Sequence, residues 1–269
     1  NQNRETMNTR IISKALIVLI TACSIFSCNQ GGPADTPWLR GANFTPSTAI
    51  NQLEFWQEET FDPETIDREL GWAEEIGFNC MRVYLHHVAW EVDKAGFKDR
   101  MDQYLDIAQK HNIRTIFVFF DDCWNPTYSA GKQPDPKPGV HNSGWVRDPG
   151  DLLFTSPELI NVLEAYVKDI LETFKDDKRI ILWDLYNEPG NSGYHNKSLP
   201  LLQSVFEWAR AVNPSQPLTS GVWHDGLSDL NKFQLENSDI ITYHNYSDEI
   251  SHQQAIDTLK TYNKPMICT

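Results

Sequence analysis

The segment 183–189, with the sequence Trp-Asp-Leu-Tyr-Asn-Glu-Pro, contains the residues best suited to chemistry. It continues the apolar run 180–182, and such a short, mostly apolar stretch is typical of a buried parallel strand. Pro189 cannot donate a hydrogen bond to a neighbouring strand, so the strand is predicted to end there. Glu188 is thereby placed at the carboxyl end of a core strand, where parallel α/β folds hold their catalytic groups. A strand-end carboxylate that only hydrogen-bonds a loop is the simpler alternative.

Other polar and aromatic residues also fall at or near predicted strand ends. The set comprises Asn43, Arg82, Asp121, Asp122, Trp124, Asn187, Trp223, His244 and Tyr246. In a closed parallel sheet these ends meet at one cavity, so we expect the side chains to lie close together.

Seven predicted strands alternate with helices and must position these residues. The strands are 38–44, 78–85, 114–120, 180–185, 217–223, 240–244 and 265–269. The helix after the first strand has Asp62 as its N-cap and Pro63 at its first position. Alternating strands and helices predict βαβ units and a parallel sheet. With 269 residues in the chain, a (β/α)₈ barrel fits best, with its eighth strand missing.

Nucleotide and metal chemistry are not favoured by the sequence. No Gly-x-Gly-x-x-Gly follows a predicted strand, and no Walker-type Gly-Lys-Ser/Thr is present. Neighbouring residues on a strand point to opposite faces, so neither the pair His86 and His87 nor the pair Asp121 and Asp122 is expected to share an ion. We therefore expect no metal and no cofactor, and we do not favour a metal-dependent barrel hydrolase.

The segment 183–189 resembles the fourth barrel strand of the clan A glycoside hydrolases, in which Asn-Glu-Pro carries the acid/base glutamate. The resemblance spans residues 38–269 and implies a retaining hydrolase of a β-linked polysaccharide or oligosaccharide. Cleavage of such a bond requires an acid on the leaving oxygen and a second carboxylate across the sugar. The resemblance gives Glu188 the acid role, if its pocket raises its pKa. Asn187 would then hold the 2-hydroxyl of the sugar.

The same resemblance assigns roles to other strand-end residues. Arg82 is similar to the arginine that hydrogen-bonds the nucleophile, with a plain strand-end salt bridge as the alternative. The sequence His244-Asn245-Tyr246 is similar to the family's His-x-Tyr, in which His binds substrate and Tyr orients the nucleophile; a core histidine beside an unrelated tyrosine is the alternative. Trp223 and Trp124 are candidate sugar platforms.

The nucleophile itself is expected at the end of strand seven. By the resemblance it would be the residue that follows Thr269, so the sequence is predicted to be a fragment that does not turn over alone. One departure concerns strand three, where related enzymes carry a histidine and this chain has Asp121-Asp122-Cys123-Trp124. The aspartates would instead bind hydroxyls of a manno- or galacto-configured sugar.

The amino-terminal segment is predicted to be a targeting signal. Met7 is a plausible start, residues 15–22 are apolar but too short for an ordinary membrane span, and Ile25-Phe26-Ser27-Cys28 is similar to a lipobox. We expect upstream residues and a signal in 1–28, lipidation of Cys28, a linker in 29–37 and the hydrolase domain in 38–269. A simple secretory signal is the alternative.

The overall charge limits the partners. A net charge of −14 argues against nucleic acid and anionic membranes, and it is compatible with a neutral glycan. We expect contact with the membrane only through the lipid anchor, a location in the bacterial cell envelope, and no obligate protein partner. A non-catalytic carbohydrate-binding lipoprotein with a degenerate barrel is the competing hypothesis.

Overall fold

The computed structural model describes residues 38–269, of which Leu39–Thr269 form one compact unit. The predicted signal, the lipidation of Cys28 and the linker 29–37 lie outside the described residues. No helix between residues 38 and 269 has the length and apolar character needed to cross a membrane.

Seven parallel strands follow one another in chain order within residues 38–269. The first five form one sheet in the order β1-β2-β3-β4-β5, and β6 pairs with β7. A parallel bridge between Val222 and Tyr243 joins the segment after β5 to β6. This is the predicted strand order of a (β/α)₈ barrel. The strands are β1 Gly41–Asn43, β2 Cys80–Tyr84, β3 Arg114–Asp121, β4 Ile180–Asn187, β5 Leu218–Thr219, β6 Ile241–Tyr243 and β7 Met266–Cys268.

The helices lie between the strands, as βαβ connections require. They are α1 Gln52–Trp56, α2 Pro63–Glu75, α3 His87–Val92, α4 Lys94–Lys110, α5 Leu152–Thr155, α6 Leu159–Phe174, α7 Leu199–Val212, α8 Ser228–Asn237 and α9 Glu249–Leu259. The predicted N-cap of α2 is confirmed, because the Asp62 carboxylate accepts from the Thr65 amide at 3.0 Å.

Helix α6 shows how the helices bury their apolar faces. Its buried residues recur at the spacing of one helical face: Leu159, Leu163, Tyr166, Val167, Ile170, Leu171 and Phe174. Full burial of a Leu, Ile or Val side chain stabilises by about 1.5–3 kcal/mol, so this face is a large part of what holds α6 on the sheet. Across the core, Trp183 of β4 stacks on Phe117 and Phe119 of β3, with ring centroids 5.7 and 5.4 Å away.

The long insertion between β3 and α5 is packed against the barrel. Amide side chains in helix α1 and at its two ends hold the insertion in place. Asn51 donates to the Gly144 carbonyl at 2.9 Å, Gln52 to Val146 at 2.8 Å and Gln57 to Gly131 at 3.0 Å. Buried amides need partners, so these bonds explain why polar residues occupy core positions. The insertion is therefore a packed part of the fold.

Candidate active site

A cleft of about 1030 Å³ opens at the carboxyl ends of the strands. It brings together most of the predicted site residues: Arg82, Asp121, Trp124, Asn187, Glu188, His244 and Tyr246. Asp122 and Trp223 are not among its lining residues. The strands therefore produce the convergence that their order predicts.

Strand register places Asn187 at the base of the cleft. Strands β3 and β4 pair so that Asp121 lies opposite Asn187. The Asn187 amide nitrogen donates to Asp121 Oδ1 at 2.8 Å, and its oxygen accepts from Arg82 Nη2 at 2.9 Å. Both ends of the amide are therefore held in one orientation.

A buried ion pair forms the floor beneath Asn187. Arg82 Nη2 and Nε donate to Asp184 Oδ2 at 2.6 and 3.1 Å, and both side chains are buried. The Arg82 guanidinium also donates to Asn43 Oδ1 at 3.2 Å and to the Tyr84 hydroxyl. Within residues 38–269, Arg82 thus makes the strand-end salt bridge that was the alternative assignment.

Glu188 faces the cleft from a strained position. Its φ of +45° lies in the left-handed region, which an L-residue before proline rarely adopts, and such strain is typical of functional sites. The side chain is 12 % exposed. Its carboxylate accepts from His244 Nδ1 at 2.6 Å, Asn191 Nδ2 at 2.5 Å and Cys123 Sγ at 3.2 Å.

The surroundings of Glu188 determine whether its pKa is raised, as the acid role requires. Burial by itself raises its pKa, but hydrogen bonds from His244, Cys123 and Asn191 and the charge of His244 together lower the pKa below its ordinary value. Within residues 38–269 the pocket thus favours the carboxylate rather than the protonated acid. The condition of a raised pKa is therefore not met in these surroundings, because sequence position predicts burial but not the hydrogen-bond donors that other segments bring to the carboxylate.

His244 and Tyr246 both line the cleft. The Nε2 atom of His244 is buried and has no hydrogen-bond partner among the described residues. Tyr246 lies at the mouth with its side chain exposed, and its ring centroid is 6.3 Å from that of His244. His244 is thus a partner of the Glu188 carboxylate, and Tyr246 is free to meet a ligand at the mouth.

The two aspartates after β3 point in different directions. Asp121 lines the cleft, but its Oδ2 accepts from Trp145 Nε1 at 2.7 Å, while Oδ1 accepts from Asn187 and from the Cys123 amide. Burial raises the pKa of Asp121 against these hydrogen bonds. The protein itself therefore occupies both oxygens.

Asp122 is buried away from the cleft. It accepts from the Tyr186 hydroxyl at 2.7 Å, the Gly190 amide at 2.7 Å and Ser198 Oγ at 2.5 Å. Burial raises its pKa to about 7. Asp122 thus holds the turn that follows Glu188 in place and does not line the cleft.

Trp124 and Trp223, the two candidate sugar platforms, lie in different surroundings. Trp124 lines the cleft, is 45 % exposed and has a φ of +73°, with His141 packed edge-on against it. Trp223 donates from Nε1 to the Pro189 carbonyl at 3.1 Å and packs partly buried against the core. Of these two candidate sugar platforms, Trp124 is therefore the one whose ring lines the cleft.

The reasoning about the adjacent histidines is wrong. His86 and His87 follow β2 and begin helix α3, so strand alternation does not apply, and both meet Asp148 in a buried cluster with metal-like spacing. However, His86 accepts from the Val88 amide at 3.2 Å and its Nε2 lies 3.1 Å from the Arg147 carbonyl, while His87 Nδ1 pairs with Asp148. These bonds join the segment after β2 to Arg147 and Asp148, so the cluster holds the insertion in place.

Sequence reasoning missed three residues of the site. Asp184, Cys123 and Asn191 hold Arg82 or Glu188 in place. Asp184 carried a usable signal, because a carboxylate inside an apolar strand requires a buried partner. Cys123 and Asn191 carried none, since their partner lies on another strand or beyond a turn.

Comparison with known proteins gives a family match over most of the chain. The family described as Cellulase (glycosyl hydrolase family 5) matches residues 44–267. Mannan endo-1,4-β-mannosidase F of Aspergillus clavatus is 24 % identical over 130 residues, which are 48 % of this chain and 28 % of that protein. The probable mannan endo-1,4-β-mannosidase F of Aspergillus flavus is 28 % identical over 94 residues, 35 % of this chain and 18 % of that protein. The chain thus spans less than a third of the length of these curated relatives.

Solved structures share the fold. The hyperthermostable endo-1,4-β-D-mannanase of Thermotoga petrophila superposes with a TM-score of 0.55 at 13 % identity, covering 86 % of this chain and 77 % of that one. The exo-β-1,4-mannosidase of Opitutaceae bacterium strain TAV5 gives 0.52 at 21 % identity, covering 76 % and 38 %. The predicted barrel fold is therefore confirmed.

Proposed function

The chain belongs to glycosyl hydrolase family 5, and we propose that the intact protein hydrolyses β-1,4-linked mannan or manno-oligosaccharides with Glu188 as its acid/base. The observation that carries the proposal is the placement of Glu188 in a cleft at the strand ends, held by donors from two other segments. The mannan assignment is supported by the relatives, which are mannanases and a mannosidase.

The lining of the cleft fits a neutral sugar. The charges of Arg82 and Asp121 are already bonded to protein groups, and the remaining polar lining is rich in uncharged side chains such as Asn43, Asn142 and Ser192. Hydroxyl groups match such donors and acceptors, whereas a uronate would require a free cation.

The proposed mechanism is retaining, with a second carboxylate roughly 5–5.5 Å from Glu188. We place this nucleophile at the residue after Thr269. The Thr269 amide donates to the Tyr243 carbonyl at 3.0 Å, which holds the end of this strand beside the segment that carries His244. A like charge there would raise the pKa of Glu188 and so restore the proton that the acid step needs. After cleavage the ionised Glu188 would activate water as a base.

The experiment uses the intact protein and three variants. Mannan, xylan and glucan are compared as substrates, and the configuration of the first product is read by NMR. Glu188→Ala should lose most hydrolysis of mannan but much less of aryl mannosides with good leaving groups, which need no acid. Glu188→Gln should behave likewise, and Glu207→Ala, which removes an exposed carboxylate on α7, should match the wild type.

Two outcomes would refute the assignment. Equal turnover of both substrate types by wild type and Glu188→Ala would remove Glu188 from the mechanism. Binding of manno-oligosaccharides without hydrolysis of any substrate by the intact protein would favour the non-catalytic glycan binder.

We also propose that the protein is exported and anchored through a lipid on Cys28. The support is the similarity of residues 25–28 to a lipobox after an apolar run. Mass spectrometry of the membrane fraction should find a lipidated Cys28, and Cys28→Ala should abolish the modification. An unmodified mature protein in the medium would favour simple secretion.

A further inference from the structure

Cys123 packs its thiol against the proposed acid/base. It follows β3, lines the cleft and is 9 % exposed. Its Sγ lies 3.2 Å from Glu188 Oε2, and its own amide donates to Asp121 Oδ1 at 3.0 Å. The backbone is therefore fixed by Asp121 while the side chain meets the catalytic carboxylate.

The surrounding amides define the direction of the thiol hydrogen bond. Asn187 Nδ2 and Asn191 Nδ2 lie 3.5 and 3.4 Å from Sγ. The orientation of the Asn187 amide is set by Arg82, which donates to its oxygen. An amide nitrogen can only donate, so the sulfur accepts from both groups and its single proton is left for a carboxylate. The side chain of Asp121 also interacts with the thiol, but its two oxygens already accept from Asn187, Trp145 and the Cys123 amide, so Glu188 Oε2 at 3.2 Å is the acceptor.

We propose that Cys123 is a positioning residue for Glu188, whose thiol donates to the carboxylate and holds it in the orientation for proton transfer. This inference rests on the proposed acid/base role of Glu188. It goes beyond that role because it assigns a task to the thiol at the end of β3.

A thiol suits this position for a chemical reason. Burial and the nearby charges of Asp121 and Glu188 raise the pKa of Cys123, so the thiol remains a protonated donor and a poor nucleophile. A thiol is also a weaker donor than a hydroxyl or an amide. It therefore orients the carboxylate while favouring the ionised form only slightly, and a retaining acid/base must pass through both protonation states in each cycle.

Other groups act on Glu188 from neighbouring elements. His244 after β6 donates to it, and Tyr246 beyond it lies close enough to sense its charge. Asp121 and Arg82 lie on β3 and β2 at the base of the same cleft. All four remain in the variants below, so a difference between variants reports the thiol.

The first test titrates Glu188 directly in the 269-residue chain. Glutamate labelled with ¹³C at the carboxyl is incorporated, and Glu188→Gln identifies the Glu188 signal. Cys123→Ala should raise the pKa of Glu188 by about half a pH unit, the size expected for loss of one weak hydrogen bond. Cys123→Ser places a stronger donor at the same position, so it should return the pKa of Glu188 to the wild-type value or below it. Cys80→Ala, which removes a buried thiol at the start of β2, should leave the titration unchanged.

The second test reads the thiol itself by Raman spectroscopy. The S–H stretch of Cys123, obtained as wild type minus Cys123→Ala, should lie at lower wavenumber than that of Cys80. It should move to higher wavenumber in Glu188→Gln, because an amide oxygen is a weaker acceptor than a carboxylate. If Cys123→Ala does not fold, the comparison of wild type with Cys123→Ser supplies the same band.

The proposal is overturned by an unchanged Glu188 titration in Cys123→Ala, or by an S–H band that does not respond to Glu188→Gln. Neither measurement uses a substrate. Failure of the intact protein to hydrolyse glycans is therefore a separate result that bears on the proposed function alone.

Discussion

Removal of the Asp184 carboxylate should destabilise the fold strongly. Asp184 lies in the middle of β4, and its side chain is fully buried. Its Oδ2 receives two hydrogen bonds from Arg82, which lies 102 residues earlier on β2. Asp184→Ala leaves the Arg82 guanidinium buried, and the acceptors that remain for it among residues 38–269 are the neutral groups of Asn43, Tyr84 and Asn187.

The expected cost follows from the burial of both partners. Loss of one member of a buried ion pair destabilises by about 3–5 kcal/mol, because the other charge is left without compensation. For a domain of this size that loss lowers Tm by roughly 6–20 °C. The measurement is urea unfolding of wild type and Asp184→Ala at neutral pH, with the free energy extrapolated to water.

Two comparisons isolate the ion pair. Glu164→Ala breaks an exposed pair with Lys168 on α6, where the side chains are 38 % and 40 % exposed, and should leave the unfolding midpoint close to wild type. The double change Arg82→Met with Asp184→Leu removes both charges and should recover much of the loss. A cost for Asp184→Ala no larger than that of Glu164→Ala would refute the reasoning, since it would mean that Arg82 does not depend on Asp184.

Two further predictions concern pH and ligand binding. Burial lowers the pKa of His86 to about 4 and raises that of Asp122 to about 7. Because the unfolded chain binds the extra proton in the first case and the native chain in the second, His86 makes stability rise between about pH 4 and 6.5, and Asp122 makes it fall between about pH 4 and 7. Each full shift is worth about 3–4 kcal/mol of unfolding free energy. Urea unfolding at several pH values gives the slope of this free energy against pH, which should be less positive for His86→Gln and more positive for Asp122→Asn than for wild type. Equal slopes for the three proteins would contradict the prediction. Trp124→Ala should weaken calorimetric binding of manno-oligosaccharides about tenfold, as truncation of a contact tryptophan typically does, whereas Trp72→Ala on the outer face of α2 should not; equal affinities would remove Trp124 from the binding surface.

Local sequence patterns determined most of the barrel. Apolar runs of strand length marked the strands, and Asp62 with Pro63 marked the start of α2, because both signals depend only on neighbours along the chain. The same reasoning placed Glu188 at a strand end. The short helices α1 and α3 were not predicted, since five or six residues carry too little periodicity to be recognised.

The ends of helices were harder to predict from the sequence than the helices themselves. The sequence Ser156-Pro157-Glu158 is typical of a capped helix start, and a helix does run from Leu159 to Phe174. However, no side chain caps it, and the Leu159 amide instead donates to the Ser156 carbonyl at 3.0 Å. A cap requires the right backbone angles as well as the right residue, and these are set by packing.

The sequence by itself thus determined the strand order and the presence of a carboxylate at the mouth of the barrel. Only the tertiary structure decided which partners each side chain meets: Asp121 faces the cleft while Asp122 fastens a turn, and Glu188 is held by Cys123 and His244. The physical reason is range. Periodicity and capping act between neighbours in the chain, whereas these hydrogen bonds join residues 56 to 68 positions apart, and their geometry depends on strand register and loop packing. The pKa of Glu188 follows from those same donors, so it too became visible only in the folded structure.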